Sequence, residues 1–209
     1  LDRAQVGTED YGGILVALSP TRLSDGGGYS ALVDGLAVGP DDAVVGITAS
    51  GSAAYVLAAL RRARERGSVT IGVCTNAGSK LEGLCDVTIA PLVGPEVISG
   101  STRMKSGTAQ KMVLNMLTTC SMIKLGKVYG NLMVDLKASN RKLRDRALRL
   151  IIHATGLTPA EAEIYLEGAR GHVKLAILMA KRGLDRAAAQ ALLDRCEGRL
   201  AQAIETKEE

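Results

Sequence analysis

Residues 43–74 read AVVGITASGSAAYVLAALRRARERGSVTIGVC, and their order decides the fold. AVVGIT at 43–48 is a short apolar run rich in β-branched residues, which reads as a buried strand. Small polar residues, ASGS, separate it from a helix expected from about Ala53 to Arg66 and closed by Gly67. VTIGVC at 69–74 then reads as the next strand. Strand, polar loop, helix and strand in this order imply parallel pairing, because parallel neighbours need a crossover.

The same alternation continues on both sides. Upstream, ILVAL at 14–18 ends at Ser19-Pro20 like a buried strand, and GGG at 26–28 opens a likely helix, YSALVDGL. Downstream, TNAG at 75–78 leads to a short helix expected near Ser79 to Leu84, and VTIA at 87–90 makes a fourth strand. The expected class is α/β, a parallel sheet covered on both faces, with ligands at the carboxyl ends of its strands. That rule singles out Thr48, Ala49, Ser50, Gly51 and Ser52. Hydroxyls and backbone amides can there hold a phosphate together, although the same residues serve equally as a helix cap.

A second loop carries the same chemistry. Residues 91–131 read PLVGPEVISGSTRMKSGTAQKMVLNMLTTCSMIKLGKVYGN. Ser99, Ser101, Thr102, Arg103, Lys105, Ser106 and Thr108 crowd the start of an apolar-periodic run from Ala109 to Leu125. Ala109, Met112, Val113, Met116, Leu117 and Cys120 recur at three- and four-residue spacing and share one face, with Gly126 as the stop. Free N–H groups, hydroxyls and two cations at a helix N-terminus suit an oxyanion, a phosphate first of all, although taken alone such a loop more often caps its helix, with Arg103 and Lys105 solvated.

Beyond it, a helix is expected from about Asn140 to His153, with Gly156 at its end. Thr158, Pro159 and Glu161 form a capping box. Short helices are expected near 159–168, 172–182 and 186–204, with Asp185 as a cap and Gly198 as an interruption of the last.

Bulk properties exclude several classes. The 209 residues suffice for one core plus a small satellite domain. A net charge of +4, with no basic block and no Trp or Phe, argues against nucleic acid. Cys74, Cys85, Cys120 and Cys196 lack a CxxC spacing and are expected as buried free thiols in a reducing compartment. With only His153 and His172, a zinc site or a Ser-His-Asp triad has little to be built from. No apolar run approaches a membrane span, so the protein is read as cytoplasmic, without membrane or nucleic-acid partners. Leu1 is not a Met, which leads us to expect a partial or processed chain.

The run GPEVISGSTRMKSGTAQKMVLNMLTT (94–119), continued by GKVYGNLMVDLKASNRKLRDRA (126–147), closely resembles the N-acetylmuramic acid 6-phosphate etherases. That family belongs to the sugar isomerase (SIS) phosphosugar-binding superfamily. The resemblance implies a three-layer αβα, flavodoxin-like SIS domain over 1–155 and a small three-helix domain over 156–209. It covers nearly all of 40–205 but only weakly 1–39, so the chain is expected to be N-terminally incomplete relative to the family. It implies a phosphorylated amino sugar as ligand, bound by Thr48, Ser50, Gly51, Ser52, Glu96, Ser101, Thr102, Arg103 and Lys105, and a homodimer. Glu96 is read either as a structural acceptor of backbone amides or substrate hydroxyls, or as a proton carrier, the first being preferred.

The reaction implied is cleavage of the D-lactyl ether of N-acetylmuramic acid 6-phosphate to N-acetylglucosamine 6-phosphate and D-lactate. Its steps need two carboxyl groups, one acid and one base, and neither a metal nor an organic cofactor. The chain departs from the family at two places. After Ser50-Gly51 relatives carry an Arg-Thr pair where Ser52 and Ala53 stand. LDRAQVGTEDYG aligns in two frames, one of which makes Glu9 a catalytic carboxylate, and neither supplies both carboxylates. A non-catalytic phosphosugar-binding regulator of the glucokinase-regulatory type is therefore the rival reading.

Overall fold

The computed structural model describes residues 14–17 and 33–206. Compactness divides the chain into two units, Leu1–Met116 and Leu117–Glu209.

The first unit holds a parallel sheet in the order β1-β2-β3-β4, formed by β1 (Ile14–Ala17), β2 (Ala43–Ile47), β3 (Val69–Val73) and β4 (Val87–Ile89). All four stand where the apolar runs place them. Helix α1 (Ala54–Glu65) buries Val56, Leu57, Leu60 and Ala63 and packs on β2 and β3. Each of the Val and Leu side chains contributes about 1.5–3 kcal/mol when fully buried. Gly46 makes the close approach of α1 possible, and Gly72 does the same for Leu81. Gly46 and Gly72 are level in neighbouring strands, and a Cβ on Gly46 would stand 2.5 Å from Leu60 Cδ1. Val45 and Ile47 alternate to the opposite face and are buried as well, as in a sheet covered on both sides.

Two expectations need correction here. Ser79–Leu84 is no helix but a chain of turns, closed by Glu82 N–H to Ser79 O at 3.1 Å and Leu84 N–H to Leu81 O at 3.0 Å. Six residues between Gly78 and Cys85 are too few to offset helix nucleation, and the Ser79 hydroxyl takes the Leu81 N–H instead. The long helix α2 spans Lys105–Lys124, so it starts earlier than its apolar period suggests, and Gly126 ends it at φ 68°. Of the expected apolar face only Val113 is buried; Met112 and Met116 are half exposed and Cys120 is exposed. The cysteines are free, yet only Cys74 and Cys196 are buried. Cys85 is intermediate, and desolvation pushes its thiol up to about 11.

The second unit is helical. α3 (Arg141–Thr155), α4 (Pro159–Gly168), α5 (Val173–Arg182), α6 (Arg186–Arg195) and α7 (Leu200–Glu205) follow a two-stranded hairpin, β5 (Val128–Tyr129) and β6 (Leu132–Met133). Strands this short show no sequence period, which is why the hairpin escapes a sequence reading. α5 is the centre: Val173 and Leu175 to Met179 are buried, against Ala147 and Ile151 of α3 and Leu166 of α4. The sequence suggests a domain boundary after residue 155, whereas α3 shares this core and the compact units divide within α2. Gly198, at φ 73°, separates α6 from α7.

Among the described residues no helix is long and apolar enough to cross a membrane.

Candidate functional site

The turn after β2 is built from two constraints. Thr48 N–H extends the ladder to Val73 O at 2.9 Å, which fixes where the chain leaves the sheet. Gly51 then turns at φ 71°, and a Cβ there would stand 2.3 Å from Ser79 Cβ, so no larger residue fits. The turn leaves Ser50 and Ser52 exposed, their hydroxyls 2.8 Å apart. Ala53, the N-cap of α1, has no side-chain oxygen with which to cap the first turn. The turn thus has two hydroxyls facing each other, before a helix start without a side-chain cap.

β3 contributes the next layer. Thr75 N–H and Oγ1 each lie 3.0 Å from the Ala49 carbonyl oxygen, and Asn76 Nδ2 lies 3.2 Å from it. Thr75 Oγ1 is also 3.0 Å from Ser106 Oγ. The turn after β2 and the first turn of α2 are therefore joined through one buried hydroxyl pair, Thr75 being 7% and Ser106 5% exposed.

The segment before α2 folds back on itself. Ser101 N–H bonds Ile98 O at 3.1 Å, Gly107 N–H bonds Thr102 O at 3.0 Å, and Thr108 N–H bonds Met104 O at 3.2 Å. Glu96 reaches across this loop and accepts the Lys105 and Ser106 N–H groups, both at 3.0 Å. Those bonds, Ser106 first and Lys105 second, hold its carboxyl below the usual range, so it is ionised at neutral pH. It occupies the anion seat at the head of α2, the place the sequence offers to a phosphate, and it explains why α2 begins at Lys105. Ser101 is half-buried, and Thr102, Arg103 and Lys105 are exposed around that seat.

Sequence-expected residues thus gather around the carboxyl end of β2 and the head of α2: Thr48, Ser50, Gly51 and Ser52 in one turn, Ser101, Thr102, Arg103 and Lys105 in the other, with Glu96 beneath the second. Thr75, Asn76 and Ser106 belong to the same cluster and were not singled out as binding residues. The strand-end rule that selected Thr48 applies equally to TNAG after β3. Glu9 lies outside the described residues. Among the described residues no group of three or more His, Cys, Asp or Glu side chains is placed to hold a metal ion.

A SIS domain is matched over residues 21–120. The chain is 56% identical over 146 residues to the N-acetylmuramic acid 6-phosphate etherase of Rubrobacter xylanophilus, covering 70% of this chain and 48% of that one. It is 54% identical over 167 residues to that of Caldanaerobacter subterraneus subsp. tengcongensis, covering 80% and 55%. With that of Salmonella schwarzengrund it shares 48% identity over 194 residues, covering 93% and 65%. The chain spans about half to two thirds of the length of these curated relatives. By these matches the chain carries a SIS domain and is similar over most of its length to the N-acetylmuramic acid 6-phosphate etherases.

Proposed function

We propose that the protein is a carbon–oxygen lyase that cleaves the D-lactyl ether of N-acetylmuramic acid 6-phosphate. Its part in amino-sugar recycling would be to release N-acetylglucosamine 6-phosphate and D-lactate in the cytoplasm. The observation that carries this reading is the identity of 48–56% to etherases over 70–93% of the chain. In the cluster, Ser50, Ser52, Ser101 and Thr102 would donate to the sugar phosphate, while Arg103 and Lys105 supply positive field. Thr48 and Gly51 would shape the first turn.

The proton chemistry needs a carboxylate that can change its protonation state near neutral pH. Glu96 is poorly suited, since two backbone amides hold it ionised. It is assigned instead to holding the second turn. Glu9 is the proposed catalytic carboxylate. We also propose a homodimer. Met104, just before α2, and Met112 and Met116 within it are 64%, 50% and 53% exposed, apolar surface that a second copy would cover.

Release of D-lactate from N-acetylmuramic acid 6-phosphate tests the activity. Lactate at a rate well above the uncatalysed background, abolished in E9Q, is the expected result. Phosphosugar binding without lactate release would replace the lyase by a regulator.

A further inference from the structure

Two buried hydroxyls stand between the turns that the sugar phosphate would bridge. Thr75 Oγ1 is 3.0 Å from the Ala49 carbonyl oxygen and 3.0 Å from Ser106 Oγ, and the Ser106 N–H donates to the Glu96 carboxylate at 3.0 Å. Thr75 thus stands between the Ala49 carbonyl, which also accepts the Thr75 N–H at 3.0 Å and Asn76 Nδ2 at 3.2 Å, and the hydroxyl of the first turn of α2. The carbonyl at one end and the carboxylate at the other only accept, so Thr75, Asn76 and Ser106 supply the donors.

A pair of apolar side chains would fill this space equally well. What a hydroxyl chain adds is direction and register, because its bonds tolerate little change in distance or angle. Its two ends are the turn that presents Ser50 and Ser52 and the helix start that follows Ser101 and Thr102. We propose that Thr75 and Ser106 are positioning residues that lock the Thr48–Ser52 turn to the head of α2, so that both sets of hydroxyls meet one sugar phosphate at a fixed spacing. The binding half of this proposal rests on the phosphosugar reading above; the mechanical half does not. A misplacement of even about 1 Å at such a site is costly to binding and rate.

The test uses the full chain with T75V, T75S and S106A and two readouts. In the first, without ligand, backbone amide exchange is followed at Gly51 and at Gly107. S106A should quicken exchange at Gly51, and T75V at Gly107, each about tenfold, with T75S close to the unaltered chain. Changes confined to the altered residue's own turn would overturn the coupling. In the second, N-acetylglucosamine 6-phosphate should bind T75V and S106A about tenfold more weakly and T75S nearly normally. Unaltered affinity in T75V would overturn the positioning role. Coupled exchange in a chain that binds no N-acetylglucosamine 6-phosphate at all would instead refute the phosphosugar reading and leave the lock standing.

Discussion

The two units differ in how the starts of their helices are closed, although α5 and α7 of the helical unit begin without a side-chain cap, as α1 does. In the helical unit the starts of α3, α4 and α6 are closed by a residue beside them: Asn140 takes the Leu143 N–H at 2.9 Å, Thr158 forms a full capping box with Glu161, and Asp185 takes the Ala188 N–H at 2.8 Å. In the sheet unit α1 starts at Ala53 with no side-chain cap. α2 borrows Glu96 from nine residues upstream, and its first turn is tied to β3 through Thr75. Local caps make a helix self-sufficient, so that it adds stability and little else. Helix starts left open, or closed only by distant groups, keep donors and hydroxyls grouped where an anion can reach them.

The sharpest break would come from the core of the helical unit. Leu178→Ala removes a fully buried side chain of α5 and should cost about 3 kcal/mol, seen as a lower urea midpoint for the helical signal. Phosphosugar affinity below the transition should be preserved, since the two functions are carried by different units. Gly51→Ala should act on the other side of the comparison. Its new methyl meets Ser79 and forces a left-handed alanine, which together cost about 2 kcal/mol and remove phosphosugar binding in a calorimetric titration.

Capping gives a smaller, two-sided test. Thr158→Ala should lower stability by about 1 kcal/mol, whereas Ala53→Thr, which installs the missing cap, should raise it by about the same amount. Thermal melts of both variants read the signs directly. A neutral Ala53→Thr would mean that the first turn of α1 is already satisfied.

The least effect is expected from pH. Glu96 has its carboxyl pKa lowered on folding from an ordinary value of 4.5, so its stabilisation is in full force above that pH and fades as the pH falls through the depressed value. Glu96→Gln should therefore be less stable than the unaltered chain at neutral pH, and the gap should close in acid. A gap independent of pH would assign Glu96 a packing role.

Much of this was legible in the residues. Apolar runs of four to six residues fixed the strands because a parallel sheet covered on both faces favours apolar residues at successive positions, and Asn140, Gly156, Thr158 and Asp185 marked helix ends through local chemistry alone. Long-range bonds left no such trace. Nothing near Lys105 announces that Glu96 will cap it, so the head of α2 was placed four residues late. The apolar period from Ala109 to Cys120 promised a buried face, because periodicity reports which residues share a side and not whether anything in the same chain covers it. Thr75 and Ser106 are ordinary small polar residues in sequence, and only the pairing of β3 with the head of α2 gives them a task.

The central claim is that both hydroxyl-rich turns face one phosphorylated sugar. Amide chemical shifts of Gly51 and Ser101, followed as N-acetylglucosamine 6-phosphate is added, test it most directly. Both signals should move together, saturate at the same concentration and stay still with unphosphorylated N-acetylglucosamine. Movement of one turn alone, or equal responses to the two sugars, would contradict the account.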